Sequence, residues 1–122
     1  MKGRLVYVEL KTGFSDNGPA WIGIGRFSKT GRTIYFDGKA LVKAIGNSGN
    51  FLDLESRDEY WVSGVKKDGK DRHHSGAGKI RIDNPAVGEY LRLLNFRELP
   101  KFRFEVVNLV SFSAEVSTLQ NI

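Results

Sequence analysis

The amino-acid sequence predicts a mainly β fold, with about seven short strands and one short helix in the C-terminal half, on three observations. Short runs of β-branched and aromatic residues recur between turn-forming clusters. Two glycines, Gly23 and Gly25, fall on one face of a single strand-like run, and helical spacing of apolar residues occurs once. At 122 residues, with 40% hydrophobic and 27% charged content, the chain is long enough for one core and too short for two. Residues 1–122 are therefore expected to form a single globular domain.

Residues 4–10, Arg-Leu-Val-Tyr-Val-Glu-Leu, have strand composition and stop at Thr12-Gly13. Phe14 to Pro19 collects turn formers, and Ala20 to Phe27 resumes a strand with Trp21, Gly23, Gly25 and Phe27 on one face. Glycine weakens a strand, so a pair on one face implies a sharp bend or the close approach of another group. Ser28 to Gly31 connects to Arg32–Phe36, and Asp37-Gly38 joins that run to Lys39–Lys43. Asp-Gly between two strands suits a type I′ turn, which needs positive φ at both central residues. Phe51–Leu54, Glu59–Val65 and Lys79–Ile82 are further strands, and the 13 residues from Lys66 to Gly78 make an unusually long connection.

Asn84 as a cap, Pro85 at the first position, and Val87, Tyr90, Leu91 and Leu94 at helical spacing predict a helix of about ten residues, with Asn95 as its left-handed terminator. Lys101 to Val106 alternates charged and apolar residues and is expected to be a strand with one wet face; residues 111–122 are ambiguous. Consecutive hairpins of this kind build a small, strongly bent antiparallel sheet or SH3-like barrel with the helix plugging one end, the alternative being an open α+β sheet.

The 19 Lys and Arg against 14 Asp and Glu leave a net charge of +5, unevenly spread. Residues 1–36 and 66–103 are net basic, whereas 37–65 and 104–122 are net acidic. No stretch approaches the ~18 apolar residues of a membrane span, and Glu9 falls where a secretory leader would be apolar. A cytoplasmic protein with no membrane partner is expected. Zero cysteines exclude thiol nucleophiles and cysteine zinc motifs. His73-His74 lacks the spacing that brings two imidazoles to one ion, so no metal and no cofactor is expected. Neither Gly23-x-Gly25 nor Gly76-x-Gly78 completes a phosphate-cradling motif, and Ser111 and Ser113 lie in no nucleophile elbow. With no nucleophile, base and orienting group in a recognisable pattern, no catalytic residues are assigned.

What remains is a basic, glycine-punctuated loop, Lys66-Lys67-Asp68-Gly69-Lys70-Asp71-Arg72-His73-His74, behind a strand containing Tyr60 and Trp61. Lysines and arginines displace counterions from phosphates, and an exposed indole stacks an unpaired base. Trp61, Lys66, Lys67, Lys70, Arg72 and Arg81 are thus the expected nucleic-acid-binding residues of a small binding module, its ligand single-stranded nucleic acid or another polyanion. Phe36, Phe102 and Phe104 are assigned to the core. The alternatives are a protein partner or inhibitory role through Asp53–Glu59 and exposed strand edges, and a small enzyme using His73 and His74. Oligomeric state is left open.

Tyr7 to Gly13, Ser15 to Gly23, and Glu59 to Gly69 with Asp71-Arg72-His73 resemble a group of short bacterial proteins that often carry the label 1-deoxy-D-xylulose-5-phosphate synthase, a thiamine diphosphate enzyme. The resemblance implies a bacterial source. The label does not transfer, because 122 residues cannot hold that multidomain architecture and no Gly-Asp-Gly with a downstream Asn is present to bind magnesium diphosphate.

Overall fold

The computed structural model describes residues 3–11, 18–44, 49–69, 71 and 78–110. Among these residues are eight strands: β1 (Gly3–Lys11), β2 (Ala20–Phe27), β3 (Thr33–Phe36), β4 (Lys39–Lys43), β5 (Phe51–Asp53), β6 (Glu59–Gly64), β7 (Ile80–Asp83) and β8 (Phe104–Val107). A 3₁₀ turn, Asn84–Ala86, leads into one helix, α1 (Val87–Leu94). The first six strands close into an antiparallel barrel, because β1 pairs with β2 on one side and with β6 on the other.

Side chains alternate across β1. Val6 and Val8 enter the barrel with Ile34, Phe36, Leu41, Phe51, Tyr60 and Val62, whereas Tyr7 joins a second core outside it. That second core holds Ala20, Ile22, Ile80, Ile82, Tyr90, Leu94 and Phe104. The near-continuous apolar run Leu5–Val8 is what a strand buried on both faces requires. The helix therefore lies over the outer face of β1, β2 and β7 and does not plug an end of the barrel. Leu109 packs against the barrel core instead. Its N–H donates to Asp83 Oδ1 at 3.0 Å, and the Val110 N–H donates to Asp37 Oδ1 at 2.9 Å, so the chain after β8 is tied across that end.

β2 forks. Its first residues, 20–22, run parallel to β7, while Arg26 and Phe27 pair antiparallel with β3. β7 in turn runs parallel to β8, so the expected all-antiparallel order holds for the barrel and not for this two-strand extension. Gly23 and Gly25 stand at the fork and on the inward face. A Cβ at Gly25 would lie 2.6 Å from Ile34 Cδ1, and one at Gly23 would lie 3.0 Å from Phe36 Cε1, so both positions are filled by a neighbour's side chain.

Local chemistry sets the turns. Asp37 and Gly38 have φ of 49° and 72°, the pair of positive angles that a type I′ turn needs. Asn95 ends α1 with φ 58°, and its N–H returns to the carbonyls of Arg92 and Leu91. The cap position is Asp83 and not the expected Asn84, which is already inside the 3₁₀ turn; Asp83 makes no side-chain cap, and Pro85 sits in the first positions as expected. The strand expected from Lys101 begins only at Phe104, because Arg103 and Phe104 N–H groups both donate to the Pro100 carbonyl and wind residues 100–103 into a turn. Phe102 is consequently 79% exposed and no part of the core, whereas Phe36 and Phe104 are buried. Residues 111–122 lie outside the described residues.

Candidate nucleic-acid interface

Strand direction divides charge between the two rims of the barrel. One rim carries the β3–β4 and β5–β6 turns, with Asp37, Asp53, Glu55, Asp58 and Glu59. There the Tyr60 hydroxyl is pushed up to about 12, first by burial and then by Asp58, Asp53 and Asp37. The other rim carries the β2–β3 turn and the end of β4, with Lys29, Arg32 and Lys43, and from it β6 runs out through Val65 into Lys66 and Lys67. The first rim also holds Lys39, paired with Asp37 at 3.3 Å, and Arg57, so its carboxylates are partly offset, whereas the second rim is net basic.

The start of the long connection is anchored. The Gly69 N–H donates to the Lys66 carbonyl at 3.2 Å, closing a turn in which Gly69 has φ 74° and packs under Leu94 and the Tyr90 hydroxyl. Asp71, 8% exposed, holds this turn to the helix: its Oδ1 accepts the Lys66 N–H at 2.6 Å and its Oδ2 accepts the Tyr90 O–H at 3.2 Å. Burial raises the Asp71 carboxyl, and those two hydrogen bonds and the Lys66 charge offset only part of the rise. The Tyr90 hydroxyl is raised as well, by burial and then by Asp71. Lys66 and Lys67 are held exposed on this base.

The expected site residues do not all meet there. Trp61 is 42% exposed on the outer face of β6, opposite Glu9 of β1 and two residues from Glu59. Glu9 itself is buried at 2% exposure, accepting the Tyr7 O–H at 2.5 Å and the Lys11 ammonium at 2.9 Å. Trp61 and Lys66 are five steps apart along the chain, about 16 Å at the rise of a strand. Arg81 is paired in register with Trp21 and Glu105, alternating with Ile80 and Ile82, so it points away from the helix and from the Lys66–Gly69 turn. Its guanidinium stands 3.9 Å from the Glu105 carboxylate, both largely exposed. Lys70, Arg72, His73 and His74 lie outside the described residues.

A different aromatic stands beside the basic turn. Arg103 Nη2 donates to the Gly69 carbonyl at 3.5 Å, which seats the Pro100–Arg103 turn against the Lys66–Gly69 turn. Lys66 and Lys67 on the first turn, and Lys101, Phe102 and Arg103 on the second, are all exposed. The alternation of Lys101–Val106 hid Phe102; the available signal was Pro100, which favours a helical turn directly after it.

Among the described residues, no group of three or more His, Asp or Glu side chains is placed to hold a metal ion, and no helix is long and apolar enough to cross a membrane. Compared with protein-family models, with curated proteins and with solved structures, the chain matches none.

Proposed function

We propose that the protein is a small binding module for single-stranded nucleic acid, gripping the strand between the Lys66–Gly69 and Pro100–Arg103 turns. The observation that carries this reading is the contact of Arg103 with Gly69, which joins the turn bearing exposed Lys66 and Lys67 to the turn bearing exposed Lys101, Phe102 and Arg103. Cations neutralise phosphates and the ring stacks a base; neither interaction reads base identity, so sequence preference is weak. Four phosphate contacts imply a slope of log affinity against log salt of about −3.

Fluorescence anisotropy with labelled single-stranded RNA and DNA across a salt series tests it. Phe102→Ala is expected to cost about 1–3 kcal/mol of binding. Thermal stability should stay unchanged, because the ring is already in solvent. Lys66→Glu with Lys67→Glu should flatten the salt slope, and Trp61→Ala should leave affinity within about twofold. Absence of binding at low salt, or binding indifferent to Phe102 and to the two charge reversals, refutes the proposal. A second reading, a protein partner, is favoured by β8: among the described residues it pairs on one side only, and Val106 and Val110 beside it are exposed.

A further inference from the structure

We infer that the basic mouth of the barrel holds a second anion site, separate from the two turns, that takes a phosphate monoester. Arg32 and Lys43 stand directly opposite each other across β3 and β4. The register Thr33 to Val42 carries on to them, and the Lys43 N–H donates to the Arg32 carbonyl at 2.7 Å. Both have the parity of the inward residues Ile34 and Leu41, so both project into the mouth. Directly opposed like charges destabilise a strand pair. Neither cation has an ion-pair partner among the described residues.

The two cations line a cleft of about 580 Å³ together with Thr30, Gly31 and Asn50, a volume suited to a small ligand. Thr30 Oγ1 accepts the Arg32 N–H at 3.4 Å and shares a 3.5 Å hydrogen bond with Ser28 Oγ, which fixes the hydroxyl at the edge of the cleft. Gly31 has φ 74°, its N–H donates to the Ser28 carbonyl at 2.9 Å, and no atom would meet a Cβ there within 4 Å, so it contributes space and not a donor. Asn50 is a fixed wall, since its side chain makes two 2.7 Å hydrogen bonds to the backbone of Val62.

The charge selects the ligand class. A carboxylate or an internal phosphodiester brings one negative charge, whereas a phosphate monoester brings about −1.5 to −2 and three acceptor oxygens. Of these three, the monoester alone carries charge enough for both cations, and its three oxygens can serve a guanidinium fork and an ammonium together. A phosphorylated end of a nucleic-acid strand and a small phosphorylated metabolite share that chemistry.

Thermal unfolding of the full chain in inorganic phosphate, against chloride at matched ionic strength, is the test. Phosphate at about ten times its Kd is expected to raise the midpoint by roughly 5 °C. Arg32→Gln with Lys43→Gln should abolish that rise. Both side chains are on the surface, so the double variant should fold, with a midpoint in chloride no lower than that of the wild type. Lys43→Gln alone should weaken phosphate about tenfold or less. An equal rise in wild type and double variant overturns the inference. So does a rise lost on Lys66→Glu with Lys67→Glu and kept in the mouth variant. Retention of the rise in that loop variant, whatever its nucleic-acid binding, separates this site from the two-turn surface. A 5′-phosphorylated strand binding about tenfold tighter than its 5′-hydroxyl twin assigns the site to strand ends. Equal affinity of the two strands, with the phosphate effect intact, assigns it to a small monoester.

Discussion

Gly25→Ala is expected to destabilise the barrel, and Ile34→Val is expected to restore part of the loss. The added methyl would sit 2.6 Å from Ile34 Cδ1, 3.1 Å from Ile34 Cγ1 and 3.0 Å from Val6 Cγ2, all inside normal contact distance. Ile34 is 0% and Val6 3% exposed, so neither side chain has solvent to move into. Overpacking of this kind costs about 1–3 kcal/mol, and the backbone entropy gained by replacing glycine returns roughly 0.5–1 kcal/mol. The two ranges leave a net loss of roughly 0–2.5 kcal/mol, centred near 1 kcal/mol. Ile34→Val alone leaves a small void and costs about 0.5–1.5 kcal/mol. In the double variant the shortest contact is gone, and the other two need to open by only a few tenths of an ångström. The double variant should therefore be more stable than the sum of the singles implies, by about 1 kcal/mol. Urea unfolding of all four proteins, followed by tryptophan emission with m-values compared, measures the coupling. Additivity within about 0.5 kcal/mol would show that the glycine is not there to make room for Ile34.

Asn50→Ala should cost about 2–3 kcal/mol in the same assay, because it orphans both the N–H and the carbonyl of Val62. Asn50→Asp should fare little better, since its carboxylate would face that carbonyl. Asp71 has its carboxyl raised from an ordinary 3.8, so between that value and its folded value the folded state holds a proton that the unfolded state has released. Its contribution to stability accordingly falls as pH rises through this window. Unfolding midpoints from about pH 3 to 7 should show that fall in the wild type and lose it in Asp71→Asn. Tyr60, raised to about 12, takes stability away between pH 10 and about 12 by the same sign. Its phenolate absorbance should appear later than that of a free tyrosine, and Tyr60→Phe should shift alkaline unfolding upward in pH.

The elements that depend on neighbours in sequence were legible. Asp37-Gly38 announced its turn through the two φ angles it tolerates, Asn95 announced the helix end, and Gly23 with Gly25 announced crowding in β2. The fork in β2 was not legible, because the pairing of residues 20–22 with β7 is fixed by a second core whose members come from five separate stretches of chain. The position of the helix was half legible. The stripe of Val87, Tyr90 and Leu94 says that one face is buried, while the surface it meets was signalled only by Leu5 and Tyr7 being apolar on the face of β1 opposite Val6 and Val8. For the candidate site, the exposure of Lys66 and Lys67 followed from composition. The aromatic beside them did not: Trp61 and Phe102 are told apart by the distance along β6 and by one hydrogen bond from Arg103 to Gly69, neither of which is a sequence property.

Closure of the barrel by β1 against β6 has a consequence in time. Every strand of the barrel lies between Gly3 and Gly64, whereas the strands and helix that cover its outer face lie between Ile80 and Val107. At about 5–20 residues per second, a ribosome needs roughly two to nine seconds to pass from residue 64 to residue 107. Small β domains close within milliseconds to seconds. The barrel thus has time to form while Tyr7, Ala20 and Ile22 are still bare and the 20–22 edge of β2 is unpaired. In that interval the nascent chain presents a sticky apolar face and an open strand edge together, so the outer face of β1 and β2 is where a chaperone would bind the growing chain or where two such chains would aggregate.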